Sequence, residues 1–143
     1  MKPQEFLSEL NDARVVAAIA TVEQQTSGEI RVFVDNLSPA NALTEATKQF
    51  ECLGMTKTRD RNAVLIYFAP RAQQFAVIGD EGIHAKCGQN FWEGIAAEMS
   101  PLLKSGKFTE AVIHTVEAIG KVLIAHFPRR PDDTNELPDA VAR

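Results

Sequence analysis

The sequence predicts an α/β domain built on a small mixed sheet, and three observations support this fold class. Residues 29–34 and 63–68 both have the pattern of a β-strand, and a segment with helical spacing lies between them. A strand, a helix and a second strand form a parallel pair with a right-handed crossover. A third apolar strand, at residues 75–78, follows the second after a short turn, so these two strands should pair antiparallel.

The first half of the chain supplies most of this pattern. Apolar residues recur at helical spacing from Pro3 to about Gln25, and the Thr-Ser-Gly sequence at 26–28 ends that helix. A second helix is predicted to begin at Ser38 and Pro39, as N-cap and first helical residue, and to end at Gly54. Residues 63–68 are continuously apolar, which is typical of a central strand covered on both faces.

The second half is predicted to be helical, with a polar tail. Helical spacing covers residues 90–104 and 108–126, and Pro101 is expected to kink the first of these helices. From Phe127 onward the sequence is polar and rich in proline, which indicates an extended segment that is ordered only where it docks on the domain. We therefore predict one domain over residues 1–128 and a tail over residues 129–143.

Composition narrows the classes of partner. The net charge of −4 and the absence of a basic stripe argue against a nucleic-acid binder. The longest apolar run is too short for a membrane span, and an acidic residue stands where a signal peptide would begin its apolar core, so a soluble cytoplasmic protein is expected. Cys52 and Cys87 belong to no spaced Cys/His cluster, which disfavours zinc and predicts two small buried side chains.

Polar residues at the strand boundaries form the best candidate site. The strand connections bring the starts of the first two strands and the end of the third to one rim of the sheet. The residues on that rim are Glu29, Asp60, Arg61, Asn62, Asp80 and Glu81. Because hard cations bind several oxygen ligands, Glu29, Asp60, Asp80 and Glu81 are candidate ligands for a divalent cation. The same residues are also consistent with a solvated ion-pair network.

Two further sets of residues are candidates for a functional site. His84 follows the rim and could act as an acid or base, and the opposite end of the sheet offers Asp35, Asn36 and Ser38 as a second choice of site. No nucleophile elbow, phosphate-binding glycine loop or EF-hand loop is present.

Several segments, taken in order, resemble the TPM domain. They are residues 26–32, 61–66, 75–83, 91–92, 126–128 and 135–139. This domain is shared by a thylakoid lumen phosphatase-like protein, a photosystem II repair factor and many bacterial proteins, and the chain is similar to the short bacterial branch. The resemblance implies a three-layer α/β/α sandwich with a central sheet of three or four strands. It also implies binding of a divalent cation, calcium more than magnesium, and an acid phosphatase activity suggested for some members.

Two functional hypotheses follow. In one, the domain is a metal-dependent phosphomonoesterase in which Glu29, Asp60 and Asp80 hold the cation, Arg61 neutralises charge on the phosphate and Asn62 orients it. In the other, it is a non-catalytic adaptor whose rim or acidic tail binds a protein partner, with a structural cation. The second is favoured, because no activated nucleophile or matched acid/base pair is evident. The third hypothesis is a domain that binds no ion.

Overall fold

The computed structural model describes residues 9–131, 137 and 139–142, and in these ranges the chain forms four helices and one three-stranded sheet. The elements are α1 (Asp12–Glu23), β1 (Glu29–Val34), α2 (Ala42–Cys52), β2 (Ala63–Ala69), β3 (Gln74–Gly79), α3 (Glu81–Lys104) and α4 (Phe108–His126). Short 3₁₀ turns at Met55–Lys57 and Pro70–Ala72 precede and follow β2.

The sheet has the order β1-β2-β3, with β1 parallel and β3 antiparallel to β2. Glu29 lies opposite Ala63 in the parallel pair, and Gly79 lies opposite Val64 in the antiparallel pair. The starts of β1 and β2 therefore meet the end of β3 at one rim. These pairings confirm the predicted α/β fold with a small mixed sheet.

The central strand separates two hydrophobic cores. Val64, Ile66 and Phe68 of β2 belong to the larger core, which also contains apolar residues of α1, α3 and α4. The alternate residues of β2 belong to the smaller core, which includes Ala46 and Phe50 of α2. Every residue of β2 is buried, because successive side chains of a strand point to opposite faces and helices cover both of them. The result is the three-layer sandwich.

A break at Leu10 and Asn11 interrupts the first predicted helix, and the second predicted helix begins later than the sequence pattern indicates. Asn11 caps α1, with extended dihedral angles and its Oδ1 accepting from the amide of Arg14 at 3.1 Å. Asn41 caps α2 in the same way, accepting from Thr44 at 3.0 Å, so the predicted start at Ser38 and Pro39 is wrong. Asparagine is as good an N-cap as serine, and helical spacing alone does not reveal the break. The predicted start at Pro3 lies outside the described residues.

Helix α3 begins earlier and bends elsewhere than predicted. It starts at Glu81, because the Asp80 carboxylate caps it by accepting from the Glu81 amide at 2.8 Å. The kink lies at Gly88, where φ is 74° and ψ is 173°, and not at Pro101. Glycine adopts this positive φ without strain, whereas a side chain would oppose it. Pro101 lies in the last turns of the helix.

The described residues of the tail lie against the domain. Pro128 forms an isolated bridge with Thr26, and Ala142 forms a parallel bridge with Phe33. The amide of Ala142 donates to the carbonyl of Val32 and its carbonyl accepts from the amide of Val34, both at 2.8 Å. Ala142 therefore covers the outer edge of β1, the edge that faces away from β2.

Candidate metal centre

The predicted rim is present in the backbone. The amide of Asp80 donates to the carbonyl of Ala63 at 2.9 Å, and the amide of Gly82 donates to the carbonyl of Arg61 at 2.8 Å. These bonds hold the start of α3 against the loop that leads into β2. The side chains of the rim residues, however, separate into three groups.

The first group is an ion pair between Asp80 and Arg61. Nε and Nη2 of Arg61 donate to the two carboxylate oxygens of Asp80 at 2.6 and 2.8 Å. Asp80 also caps α3, so its carboxylate accepts from three donors. The hydrogen bond with Asp80 raises the pKa of Arg61. Glu81 completes the group, with Oε1 3.2 Å from Nη1 of Arg61 and a side chain that is 73% exposed.

The close approach of α3 to this loop depends on Gly82. A Cβ at Gly82 would lie 2.2 Å from the carbonyl oxygen of Asp60 and 2.5 Å from that of Arg61. We expect Gly82→Ala to lower the free energy of unfolding by about 1–3 kcal/mol, because backbone must move to admit the methyl group. Denaturant unfolding measures this change.

Gly94→Ala is the matched control, since the same helix leaves open space around Gly94. That substitution should raise the free energy of unfolding by about 0.5–1 kcal/mol, because alanine loses less backbone entropy in a helix. Equal stability of Gly82→Ala and the wild type would contradict the close packing described here.

The second group surrounds Asp60. Its Oδ2 accepts from Nη2 of Arg130 at 2.6 Å and from Oγ of Ser27 at 3.4 Å. Nδ2 of Asn62 donates to the same serine hydroxyl at 3.2 Å. Asn62 is fully buried, and its Oδ1 has no hydrogen-bond partner among the described residues. Asp60 is thus paired with an arginine of the tail.

The third group contains Glu29 and two carboxylates that the sequence pattern did not single out. Glu23 ends α1, Glu29 begins β1 and Asp139 comes from the tail. Each offers one carboxylate oxygen, and the three oxygens lie within 4.8 Å of one another. Glu23 and Glu29 are only 6% and 2% exposed. We call these three residues the carboxylate cluster; in the part of the chain that the structure describes, it is the one such group of three or more potential metal ligands.

The sequence and the fold are both similar to those of known proteins. Residues 1–122 match the TPM domain. The chain belongs to the TPM domain family. Among solved structures, the NMR structure of the BA42 protein from the psychrophilic bacterium Bizionia argentinensis is 32% identical, with a TM-score of 0.83 over 93% of this chain and 94% of that one. A comparison with curated proteins found no match. The resemblance seen in the sequence is therefore confirmed.

Burial dominates the electrostatics of the carboxylate cluster in this TPM domain. Oε2 of Glu23 accepts from the amide of Ile30 at 2.9 Å, whereas Oε1 has no hydrogen-bond donor among the described residues. Burial, a hydrogen bond with Asp139 and the charges of Glu29 and Asp139 raise the pKa of Glu23 from 4.5 to about 10. Glu23 also lies at the C-terminus of α1, where the helix dipole disfavours negative charge. Without a cation, this raised pKa favours the protonated form of Glu23 at neutral pH.

Two of the three cluster residues line an open cavity. Its volume is about 280 Å³, and its lining includes Glu23, Asp139 and Arg129. Nη1 of Arg129 donates to the main-chain carbonyl of Glu23 at 2.8 Å, which fixes the guanidinium at the cavity wall. The chemistry of the donor set fits a hard divalent cation, because every side chain of the cluster offers carboxylate oxygen. A small ion in this cavity would lie beside Glu23 and Asp139.

The other candidate residues have specific partners. Nδ1 of His84 accepts from Nε1 of Trp92 at 2.9 Å, beside a second cavity of about 300 Å³. Asp35, from the second-choice rim, is buried and accepts from the hydroxyl of Tyr67 and the amide of Leu37. Burial and this hydrogen bond raise the pKa of Tyr67.

Neither the two cysteines nor the described helices of this TPM domain add a further candidate site. Both cysteines are free; Cys52 is exposed, so the expectation that both are buried is wrong for it. Cys87 is half-buried, and burial raises the pKa of its thiol, which disfavours the nucleophilic thiolate. Among the helices that the structure describes, none is long and apolar enough to cross a membrane.

Proposed function

We propose that this TPM domain binds a divalent cation at the carboxylate cluster and acts as a non-catalytic interaction module. One observation carries the proposal. Three carboxylate oxygens, one each from Glu23, Glu29 and Asp139, lie within 4.8 Å of one another, and Oε1 of the buried Glu23 has no hydrogen-bond donor among the described residues. Converging buried carboxylates repel one another unless a proton or a cation lies between them. A cation would replace the Glu23 proton and satisfy all three groups.

Calcium suits this cluster better than magnesium. The ligands come from three separate segments, the end of α1, the start of β1 and the tail. Calcium accepts irregular arrangements of carboxylate, carbonyl and water oxygens, whereas magnesium requires a near-ideal octahedron and retains its water. The originally predicted ligands Asp60, Asp80 and Glu81 are each paired with an arginine, which would have to be displaced first.

Two observations support an interaction role. Large apolar side chains are exposed, and the polar side chains that could act in catalysis already have partners. Leu37 and Leu43 are 72% and 60% exposed, near the start of α2. Leu43 also borders the second cavity, together with apolar residues of β3 and Trp92. Leu43 thus belongs to a contiguous apolar patch, and such patches mark sites of contact with other proteins. Arg61 is already paired with Asp80, and the ring of His84 is bonded to Trp92.

Titration calorimetry of the chelated protein with calcium tests the binding site. We expect heat of binding and, at a calcium concentration 100 times Kd, about 2.7 kcal/mol of added stability. For a domain of this size that corresponds to an increase in Tm of roughly 5–10 °C. Glu29→Gln should abolish both effects, because it removes one of the two buried ligands that the body of the domain supplies.

Glu81→Gln is the matched control, since it makes the same chemical change at an exposed side chain on the rim. It should leave calcium binding unchanged. Loss of binding in Glu81→Gln but not in Glu29→Gln would place the cation on the Asp80 side of the rim. Absence of heat with calcium and magnesium would overturn the cation proposal.

The alternative function is a metal-dependent phosphomonoesterase, and the cavity is the observation that favours it. A cation at the cluster and the guanidinium of Arg129 line the same space of about 280 Å³. A divalent cation polarises a phosphoryl group, and arginine binds phosphate oxygens through paired N–H groups. The calorimetry samples can be assayed with p-nitrophenyl phosphate. Turnover that chelator and Glu29→Gln both abolish would favour the enzyme; no turnover would favour the interaction module.

A further inference from the structure

We propose that the cation clamps the C-terminal segment onto the outer edge of β1, so that removing the cation releases residues 139–142 from the sheet. This inference rests on the proposed cation site and adds a conformational consequence to it. One cluster ligand, Asp139, lies three residues before Ala142, the point at which the tail joins the sheet.

The contact between tail and sheet is made by the backbone of one residue. Ala142 donates to Val32 and accepts from Val34, both at 2.8 Å, and thereby occupies hydrogen-bonding groups of β1 that β2 does not reach. Val141, beside it, is half-buried and packs on the larger core. A pairing this short is weak by itself, because isolated strand pairs of a few residues do not offset the entropy lost in ordering them.

Asp139 gives this short pairing a second attachment. Its carboxylate lies within 4.8 Å of those of Glu23 and Glu29, which belong to the body of the domain. Asp139 itself lies beyond residues 1–122, the part that matches the TPM domain. A cation held by all three would therefore connect the tail to the family fold. Without the cation, the negative charge of Glu29 opposes the approach of Asp139, and the hydrogen bond between Glu23 and Asp139 is the one attachment that the cluster still provides.

Other contacts hold the beginning of the tail independently of the cluster. The amide of Arg129 donates to the carbonyl of Gln25 at 3.1 Å, and Arg130 pairs with Asp60 at 2.6 Å. Pro128 also forms its bridge with Thr26. These contacts do not involve a cluster carboxylate, so residues up to Arg130 should stay in place when the cation leaves. The release that we propose therefore concerns residues 139–142.

Linkage makes the clamp reciprocal. If the cation strengthens docking of the tail, the docked tail must strengthen cation binding by the same factor. Truncation after Pro131 removes Asp139 and should weaken calcium binding by about 5–150-fold, the usual range of such coupling. Binding should persist at the weaker level, because Glu23 and Glu29 remain.

Hydrogen exchange of the Val34 amide, followed by NMR with and without calcium, tests the clamp. This amide donates to Ala142, so its protection reports the docked tail directly. We expect chelation to accelerate its exchange at least tenfold. Amides of β2, which pairs with a strand on each side, are the internal control and should not change.

Asp139→Asn separates the clamp from the cation site. In this variant Val34 should exchange rapidly even in calcium, while calorimetry still detects weakened binding. Unchanged Val34 exchange on chelation, in a wild-type protein that binds calcium, would overturn the clamp and leave the proposed site intact. Absence of calcium binding in the wild type would instead overturn the proposed site.

Discussion

Glu23→Gln should make the cation-free protein more stable than the wild type at alkaline pH and insensitive to calcium. The pKa of Glu23 is raised from 4.5 to about 10 in the folded protein. Folding therefore retains a proton that the unfolded chain releases, and the stability gained this way is complete below pH 4.5 and lost as pH rises toward 10. In this window the free energy of unfolding falls by about 1.4 kcal/mol per pH unit. Glutamine is neutral throughout, so this slope disappears.

The measurement is a set of denaturant unfolding curves at pH 6, 7 and 8 in chelator and in calcium. The difference between Glu23→Gln and the wild type should grow by about 2.7 kcal/mol from pH 6 to pH 8 in chelator. Calcium should stabilise the wild type more at pH 8 than at pH 6, because removal of the proton from Glu23 costs less free energy at the higher pH. It should have little effect on the stability of Glu23→Gln. Parallel pH profiles of the two proteins in chelator would contradict the buried, protonated Glu23.

Trp92→Ala should cause the largest loss of stability, about 3–5 kcal/mol, and lower Tm by roughly 10 °C. Trp92 is 6% exposed and packs in the larger core. Its ring lies against the end of β3, where a Cβ at Gly79 would be 2.2 Å from it, and its Nε1 donates to His84. Truncation leaves a large cavity beneath the β3 end that positions Asp80.

Phe91→Ala is the neighbouring control. Phe91 contacts Trp92 edge-to-face, with ring centroids 5.0 Å apart, but is only half-buried. We expect Phe91→Ala to lower the free energy of unfolding by less than half as much as Trp92→Ala, because less apolar surface is lost from the interior. Thermal unfolding of both variants measures the difference. An equal or larger loss of stability in Phe91→Ala would contradict this, because it would mean that the half-buried Phe91 contributes at least as much stability as the Trp92 ring.

The strands were the part of the fold most accessible from sequence, because burial leaves a local pattern there. The unbroken apolar run of β2 and the alternation in β1 each match the observed strand to within a residue at either end. Helix boundaries were less accessible. They depend on which of several capping residues is used, and Asn11, Asn41 and Asp80 compete with similar residues nearby.

The candidate site was predictable where it depends on strand connectivity and not where it depends on the tail. Glu29 and the backbone rim around Asp80 follow from the parallel and antiparallel pairings. Glu23 looks like an ordinary polar residue at a helix end, and its burial comes from long-range packing. Asp139 reaches the cluster because the tail folds back, and the apolar Leu137 and Val141, both packed on the cores, were the available signal in that polar segment.

The position of Ala142 on β1 also has a consequence for biosynthesis. The residue that covers the outer edge of β1 is translated long after the strand itself, and after all four helices that the structure describes. During that interval a folding nascent chain presents the amide of Val34 and its neighbours as an open strand edge, the kind of surface that pairs with other chains. Ala142 therefore joins the sheet late in folding and then blocks pairing of this strand edge with other chains.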